Sequence, residues 1–263
     1  MGRLNSKVAV ITGGTSGIGE ATAELFVKEG CKVVLTGRSR EKGEALANKL
    51  GENARYYAMD VTKEEEIASA FQFACDTFGQ LDIVFNNAGA SRASTLETIT
   101  KDDIQFGVDT LLSSVILGIK HAIPYLKDNG GSIINNASIA GHRYRQGNLL
   151  YSGLKAAVAH YSRLAGVELG PLNIRVNCIS PGAIATPIFW GGSQRANTMS
   201  EEENATKLKK LQDNLANATP LPSAGLAIDI ANGALFLASE EGRFINSHDL
   251  VIDGGRIAMF NEG

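Results

Sequence analysis

Short runs of β-branched and aliphatic residues alternate along the chain with longer stretches whose apolar positions recur at helical spacing. "KVAVI" (7–11), "KVVLT" (32–36), "RYYAM" (55–59) and "LDIVF" (81–85) read as buried strands, and "SIINN" (132–136), "IRVNCI" (174–179) and "DLVID" (249–253) continue the series. Between them, 18–28, 42–50 and 64–78 carry a helical pattern, and the acidic "KEEE" opening the last suits the positive end of a helix dipole. Strands separated regularly by helices predict right-handed βαβ units. The expected class is therefore α/β, a three-layer fold with a doubly wound parallel sheet of about seven strands. "GGS" and "GPLN" are turn chemistry rather than linkers, and no internal repeat or low-complexity tract occurs, so residues 1–263 are expected to form one domain.

One segment breaks the rhythm. From 186 to about 224 the chain is polar, with one expected helix over 200–217, before the apolar helical pattern resumes at "AIDIANGALFLAS". Such an excursion is either a tolerated surface insertion or a lid over a site.

Composition narrows the class. Hydrophobic residues make up 44% and charged residues 20% of 263, enough to fill a substantial core, and the net charge of −3 with no long basic run gives no footprint for nucleic acid. "MGRLNSKVAVITGG" lacks the apolar core of a signal peptide, and no uninterrupted apolar run approaches membrane-spanning length, so no membrane partner is expected. Cys31, Cys75 and Cys178 are scattered, without metal-ligand spacing, and read as thiols of a reducing, cytoplasmic compartment.

Candidate chemistry begins at "TGGTSGIG" (12–19), directly after the first strand. Glycines there let the backbone turn sharply, and a helix start offers free N–H groups to phosphate. The spacing Gly13, Gly17, Gly19 differs from the usual dinucleotide fingerprint. "TGGTSGIG", "NNAG" (86–89), Ser138, "YSGLK" (151–155), "PG" (181–182) and "DGG" (253–255) follow one another in the order found in short-chain dehydrogenases/reductases, and the chain resembles that family's compact, single-domain Rossmann subclass along nearly its whole length. Ser138 and Tyr151 stand thirteen positions apart and Tyr151 and Lys155 four apart, as in that family.

The resemblance implies hydride transfer between a nicotinamide and a carbonyl or secondary alcohol, with Ser138, Tyr151 and Lys155 as catalytic residues. Reduction places negative charge on the carbonyl oxygen, so donors must already face it. Tyr151 would give the proton and Ser138 would polarise the same oxygen. Lys155 would lower the phenol pKa and bind the nicotinamide ribose, and alcohol oxidation would run the steps backwards. Ser138 could otherwise be a turn cap, "NNAG" a turn and Asp60 a turn former. The resemblance further assigns Gly13, Thr15, Ser16, Gly17, Ile18 and Gly19 to the cofactor, with Asp60 and Val61 at the adenine. Asn87, Ala88 and Gly89 would meet the ribose, and Pro181, Gly182, Ile184 and Thr186 the nicotinamide side.

Members that prefer NAD end the second strand with an acidic residue on the ribose hydroxyl. Here that position is Gly37, followed by Arg38, which could pair with a 2′-phosphate or be an exposed loop cation. NADP(H) is the favoured cofactor, NAD(H) the alternative. No metal is expected: His142 has no second ligand at a recognisable spacing.

Two departures stand out. In 106–123 the family pattern would put Asn where Leu111 stands. That Asn ordinarily holds a water linking the lysine to solvent, so proton exchange is either kept by a backbone carbonyl or rerouted through Ser113 or Ser114. Near Ser247 relatives usually carry glycine, which bears on subunit geometry, although the family's homotetramer stays the expectation.

The substrate wall is expected from "SIAGHRYRQGN" and the lid, with His142, Tyr144, Ile188, Phe189 and Trp190 as candidates beside Ser138 and Tyr151; ordinary packing or interface use is the alternative. The substrate would be an apolar ketone or secondary alcohol. Two further readings are a 3-oxoacyl-(acyl-carrier-protein) reductase and a non-catalytic NADP(H)-sensing protein.

Overall fold

The computed structural model describes residues 2–90, 92–196 and 198–259, with the backbone alone of Ser193 and Gln194. Of the expected 1–263 domain, residues 1, 91, 197 and 260–263 lie outside the described residues. The apolar runs become β1 (Val8–Ile11), β2 (Lys32–Gly37), β3 (Ala54–Ala58), β4 (Ile83–Asn86), β5 (Gly131–Asn136), β6 (Ile174–Pro181) and β7 (Asp249–Ile252). Every pairing is parallel, in the order β3-β2-β1-β4-β5-β6-β7.

The helices are α1 (Gly17–Lys28), α2 (Arg40–Leu50), α3 (Glu64–Phe78), α4 (Lys101–Gly107), α5 (Ser114–Leu126), α6 (Leu149–Leu169), α7 (Gly192–Ala196), α8 (Glu201–Ala216) and α9 (Ala227–Ala238). A strand covered on both faces needs continuous rather than alternating apolarity, and "VAVI" supplies it. Val8 and Val10 face a core with Phe71, Ile119 and Val158 from α3, α5 and α6. Ala9 and Ile11 face the other, with Phe26, Ile230 and Leu235 from α1 and α9. Chain order reverses between β1 and β4, so the loops at their carboxyl ends diverge and leave a crevice.

The apolar stretch 106–123 lies inside a longer helical run, Lys101–Leu126, opened by a capping box between Thr100 and Asp103. This run is 26 residues long with a mean hydropathy of 1.3 in its most apolar part, sufficient on those counts to cross a membrane. Its inner side packs on α3 and β4. Periodicity did not predict the wide π-helical turn Val108–Ser113 that separates α4 from α5. Such turns recur at functional sites because the extra residue re-aims its neighbours.

The excursion leaves and re-enters the fold at one place. Ile184 bridges to Gly225, the N–H of Ala185 donates to the Gly225 carbonyl at 2.8 Å, and the N–H of Gly225 donates to the Ala183 carbonyl at 3.1 Å. Beyond that stem lie a tight turn at Pro187–Trp190, then α7 and α8. The boundaries of α8 match the expected 200–217, because Ser200 caps it through a box with Glu203 and Asn217 closes it. Ser247 sits at φ +57°, a left-handed conformation that favours glycine, where its hydroxyl meets Gly166 of α6.

Candidate active site

The crevice at the ends of β1 and β4 opens into a cavity of about 690 Å³ lined by Gly13, Thr15, Ser16, Gly17 and Ile18, by Gly37 and Arg38, by Asp60 and Val61, and by Asn87, Ala88 and Gly89. Gly13 and Gly17 have φ of +63° and +57°, and a Cβ on Gly13 would lie 2.9 Å from the Ala88 Cα, so two of the loop glycines serve the turn itself. Ser16 precedes α1 without a side-chain cap, leaving that helix's first N–H groups to the cavity. Positive-φ glycines, an uncapped helix start and a crevice of this size fit a dinucleotide pyrophosphate. Gly19 differs: it does not line the cavity, and a Cβ there would stand 2.2 Å from the Gly13 carbonyl oxygen. Its role is close packing of helix against loop.

Thr12, which the motif reading passed over, ties the crevice together. Its hydroxyl accepts the N–H groups of Asn87 and Ala88, both at 2.9 Å, while the Asn87 amide donates to the Thr12 carbonyl at 3.0 Å. Only its place at the end of β1 could have signalled this. Gly37 at the end of β2 has a physical reason too, since a Cβ would meet the Thr15 hydroxyl at 3.0 Å. Burial alone would raise the Asp60 carboxyl, but hydrogen bonds from Thr62 and the charge of Arg38 outweigh it and hold it low.

A second cavity of about 370 Å³ adjoins the first, sharing Ile18, Asn87, Gly89, Asn136, Thr186 and Ile188. Ser138, Tyr151 and Lys155 line it together, with Pro181, Gly182 and Ile184. Local chemistry sets each one. Asn148 caps α6 by accepting the Tyr151 N–H at 2.8 Å, which puts Tyr151 in the first turn and Lys155 one turn deeper on the same face. Ser138 follows β5 and its oxygen accepts the Ala140 N–H at 3.1 Å. Lys155 is 4% exposed and donates to the Asn136 carbonyl at 2.5 Å.

Burial dominates the electrostatics of the Tyr151 and Lys155 pair. Burial pushes the Tyr151 phenol above its ordinary value, with Ser138 pulling the other way. Burial also depresses the Lys155 amine to about 8, and its nitrogen lies 5.8 Å from the Tyr151 ring centroid. Desolvation is the largest influence on both groups.

Three expected substrate residues lie elsewhere. His142 turns away from the cavity and shares its Nε2 with the Asp249 carboxylate at 2.7 Å and the Ser180 hydroxyl at 3.2 Å. Tyr144 is 93% exposed and lines no part of it. Trp190 packs over the α1–α2 side with Lys42 and Leu46, and its Nε1 donates to Asn204 at 3.2 Å. Ile188 and Phe189 do line the cavity, and so do Gln146, Leu215, Ala218 and Arg256, which the motifs did not mark.

Leu111 is buried, points between Gly89 and the site, and lines the second cavity. Ser114, one of the two serines of the expected detour, donates its hydroxyl back to the Thr110 carbonyl at 2.7 Å and lines neither cavity. Among the described residues, the buried side-chain oxygens without a partner on this cleft are those of Thr110 and Asn136.

Residues 13–256 match the family model described as Enoyl-(Acyl carrier protein) reductase. The chain is 39% identical over 259 residues to Momilactone A synthase of Oryza sativa subsp. japonica, covering 96% of this chain and 90% of that protein. It is 37% identical over 257 residues to Secoisolariciresinol dehydrogenase of Forsythia intermedia, again covering 96% and 90%. Among solved structures it is similar to 3-ketoacyl-(acyl-carrier-protein) reductase of Brucella melitensis complexed with NADH, with a TM-score of 0.86, 30% identity, and coverage of 97% and 99%. The chain belongs to the short-chain dehydrogenase/reductase family and is an oxidoreductase with a nicotinamide-dinucleotide-binding Rossmann fold.

Proposed function

We propose that this short-chain dehydrogenase/reductase is an NADP(H)-preferring enzyme that interconverts a ketone and a secondary alcohol, with Tyr151 as the general acid and base. The observation that carries this reading is the joint placement of Ser138, Tyr151 and Lys155 on a cavity continuous with the dinucleotide crevice. The nicotinamide supplies or accepts the hydride when bound. The protein's own work is to hold the carbonyl oxygen between the Ser138 and Tyr151 hydroxyls and to release the Tyr151 proton as charge grows there. A phenol raised by burial is fully protonated at neutral pH, which suits reduction; oxidation needs the phenolate and gains as pH rises.

Preference for NADP(H) is supported by two features at the end of β2. No carboxylate stands at Gly37, where Thr15 leaves little room for one, and Arg38 lines the crevice beside Asp60. We expect a higher kcat/KM with NADPH than with NADH, and Arg38→Ala should lower the NADPH value about tenfold while sparing NADH. A clear preference for NADH in the unaltered protein would sink the assignment.

The second reading, a 3-oxoacyl-(acyl-carrier-protein) reductase, is favoured by the likeness to the Brucella enzyme. Acyl thioesters in the substrate panel separate it from the first. A non-catalytic sensor would bind NADPH and turn over neither class. The reading includes a cytoplasmic homotetramer, in keeping with the exposed Leu149, Leu164 and Val167 along α6.

A further inference from the structure

Behind β7 the chain makes a turn whose parts are held firmly. Asp253, 8% exposed, accepts the N–H of Gly255 at 2.8 Å and that of Ile257 at 2.6 Å, clamping the residue between them. Gly254 and Gly255 take φ of +64° and +87° and let the backbone reverse toward Thr219 and Pro220, in the last part of the excursion. The residue presented by this clamp is Arg256, and it lines the substrate cavity.

Its guanidinium is anchored at one nitrogen only. Nη1 donates to the Ala218 carbonyl at 2.5 Å and lies 3.7 Å from the Met259 sulfur. The Nε and Nη2 donors have no protein partner among the described residues. Among the described residues no Asp or Glu lines the cavity, and Lys155 is the other cation on its wall. Asp253 accepts main-chain amides at both oxygens and makes no ion pair with Arg256. Behind it, Arg143 donates to the Arg256 carbonyl. Ile139, Phe189 and Leu215 line the same cavity. A guanidinium fixed in a mostly apolar wall, with a planar fork of free donors, is a site for a carboxylate.

We propose that Arg256 determines specificity by taking the carboxylate of a keto acid or hydroxy acid, whose reacting carbon faces Tyr151 and whose carbon skeleton lies on the apolar wall. This rests on the oxidoreductase reading above and narrows its substrate class.

The test compares 4-oxocyclohexanecarboxylate with its methyl ester, in the unaltered protein and in Arg256→Gln, which keeps a donor for the Ala218 carbonyl. The unaltered protein should show the higher kcat/KM for the acid, and Arg256→Gln should lower the acid-to-ester ratio by about tenfold or more, the scale of a lost charged hydrogen bond. In parallel, with NADP⁺ present, cyclohexanecarboxylate should raise the Tm of the unaltered protein more than cyclohexanecarboxamide does, and Arg256→Gln should erase that difference. If no ketone is reduced but the difference in Tm appears and vanishes as stated, the carboxylate site stands and the oxidoreductase reading fails. If ketones are reduced with one acid-to-ester ratio in both proteins, Arg256 is only a lid anchor and the proposal is overturned. Equal Tm shifts for acid and amide in the unaltered protein also overturn it.

Discussion

The two adjoining cavities are built by opposite means. The dinucleotide crevice is framed by strand ends that cross no hinge: Thr12, Asn87 and Asn136 are joined by hydrogen bonds of 2.9 to 3.0 Å across β1, β4 and β5. The substrate cavity takes one wall from Ser138 and α6 and the other from an excursion whose longest helix, α8, buries no residue. The candidate catalytic groups Ser138, Tyr151 and Lys155 lie on the first of these two walls, and Ile188, Phe189, Leu215 and Ala218 on the second. On the proposed function, proton transfer is mounted at the end of β5 and on α6, and much of the selecting surface on a segment with little packing of its own, which lets one vary without disturbing the other.

The largest way to break this division is to remove the proton donor from the rigid side. Tyr151→Phe should cut turnover by roughly 10²- to 10⁴-fold while leaving NADPH binding intact, as read by single-turnover kinetics and nucleotide titration. Parallel loss of nucleotide binding would mean that the two cavities are not separable at this residue.

Next comes the buried lysine. Below pH 8 both folded and unfolded chains carry the Lys155 proton, and the full penalty of burying that charge is present. Between the folded value of about 8 and the ordinary 10.5 the unfolded chain binds the extra proton, so the folded state gains stability as pH rises. Relative to Lys155→Met, the unaltered protein should therefore gain up to about 3 kcal/mol between pH 7 and pH ~10.5, measured by urea unfolding without nucleotide. A pH-independent gap between the two proteins would show that the amine is not desolvated.

The same division governs what could be read from residues in order. Gly13 and Gly17 were legible because turn chemistry is local: each needs a positive φ at its own position. The strand set was legible because a sheet buried on both faces demands continuous apolar runs. His142 was not, because closeness in the chain to Ser138 says nothing about which side of the loop it faces, and its partner Asp249 lies 107 residues away. Trp190 failed for the same reason, meeting α1, α2 and Asn204 rather than the substrate cavity. The π-helical turn is silent in the pattern, since one extra residue in a turn leaves an apolar stretch apolar. Arg256 escaped notice because a lone arginine after a glycine pair gains meaning only from the cavity it lines, on which no acid stands among the described residues.

The smallest expected effect tests the excursion's independence most directly. One side chain, Asn204, connects its three pieces: it accepts from Trp190 at 3.2 Å and donates to the Ala196 carbonyl at 2.9 Å, with the Ser200 carbonyl at 3.1 Å. Asn204→Ala removes these bonds, a net loss of about 1 to 2 kcal/mol. Because α8 buries nothing, that loss should fall on local opening rather than on the global transition. Trypsin should then cut at Lys207, Lys209 or Lys210 about 5- to 30-fold faster, with little change in Tm and a rise in KM for the ketone rather than a fall in kcat. A drop in Tm with no change in cleavage would mean that the excursion unfolds only with the sheet, and the selective wall would then be as rigid as the catalytic one.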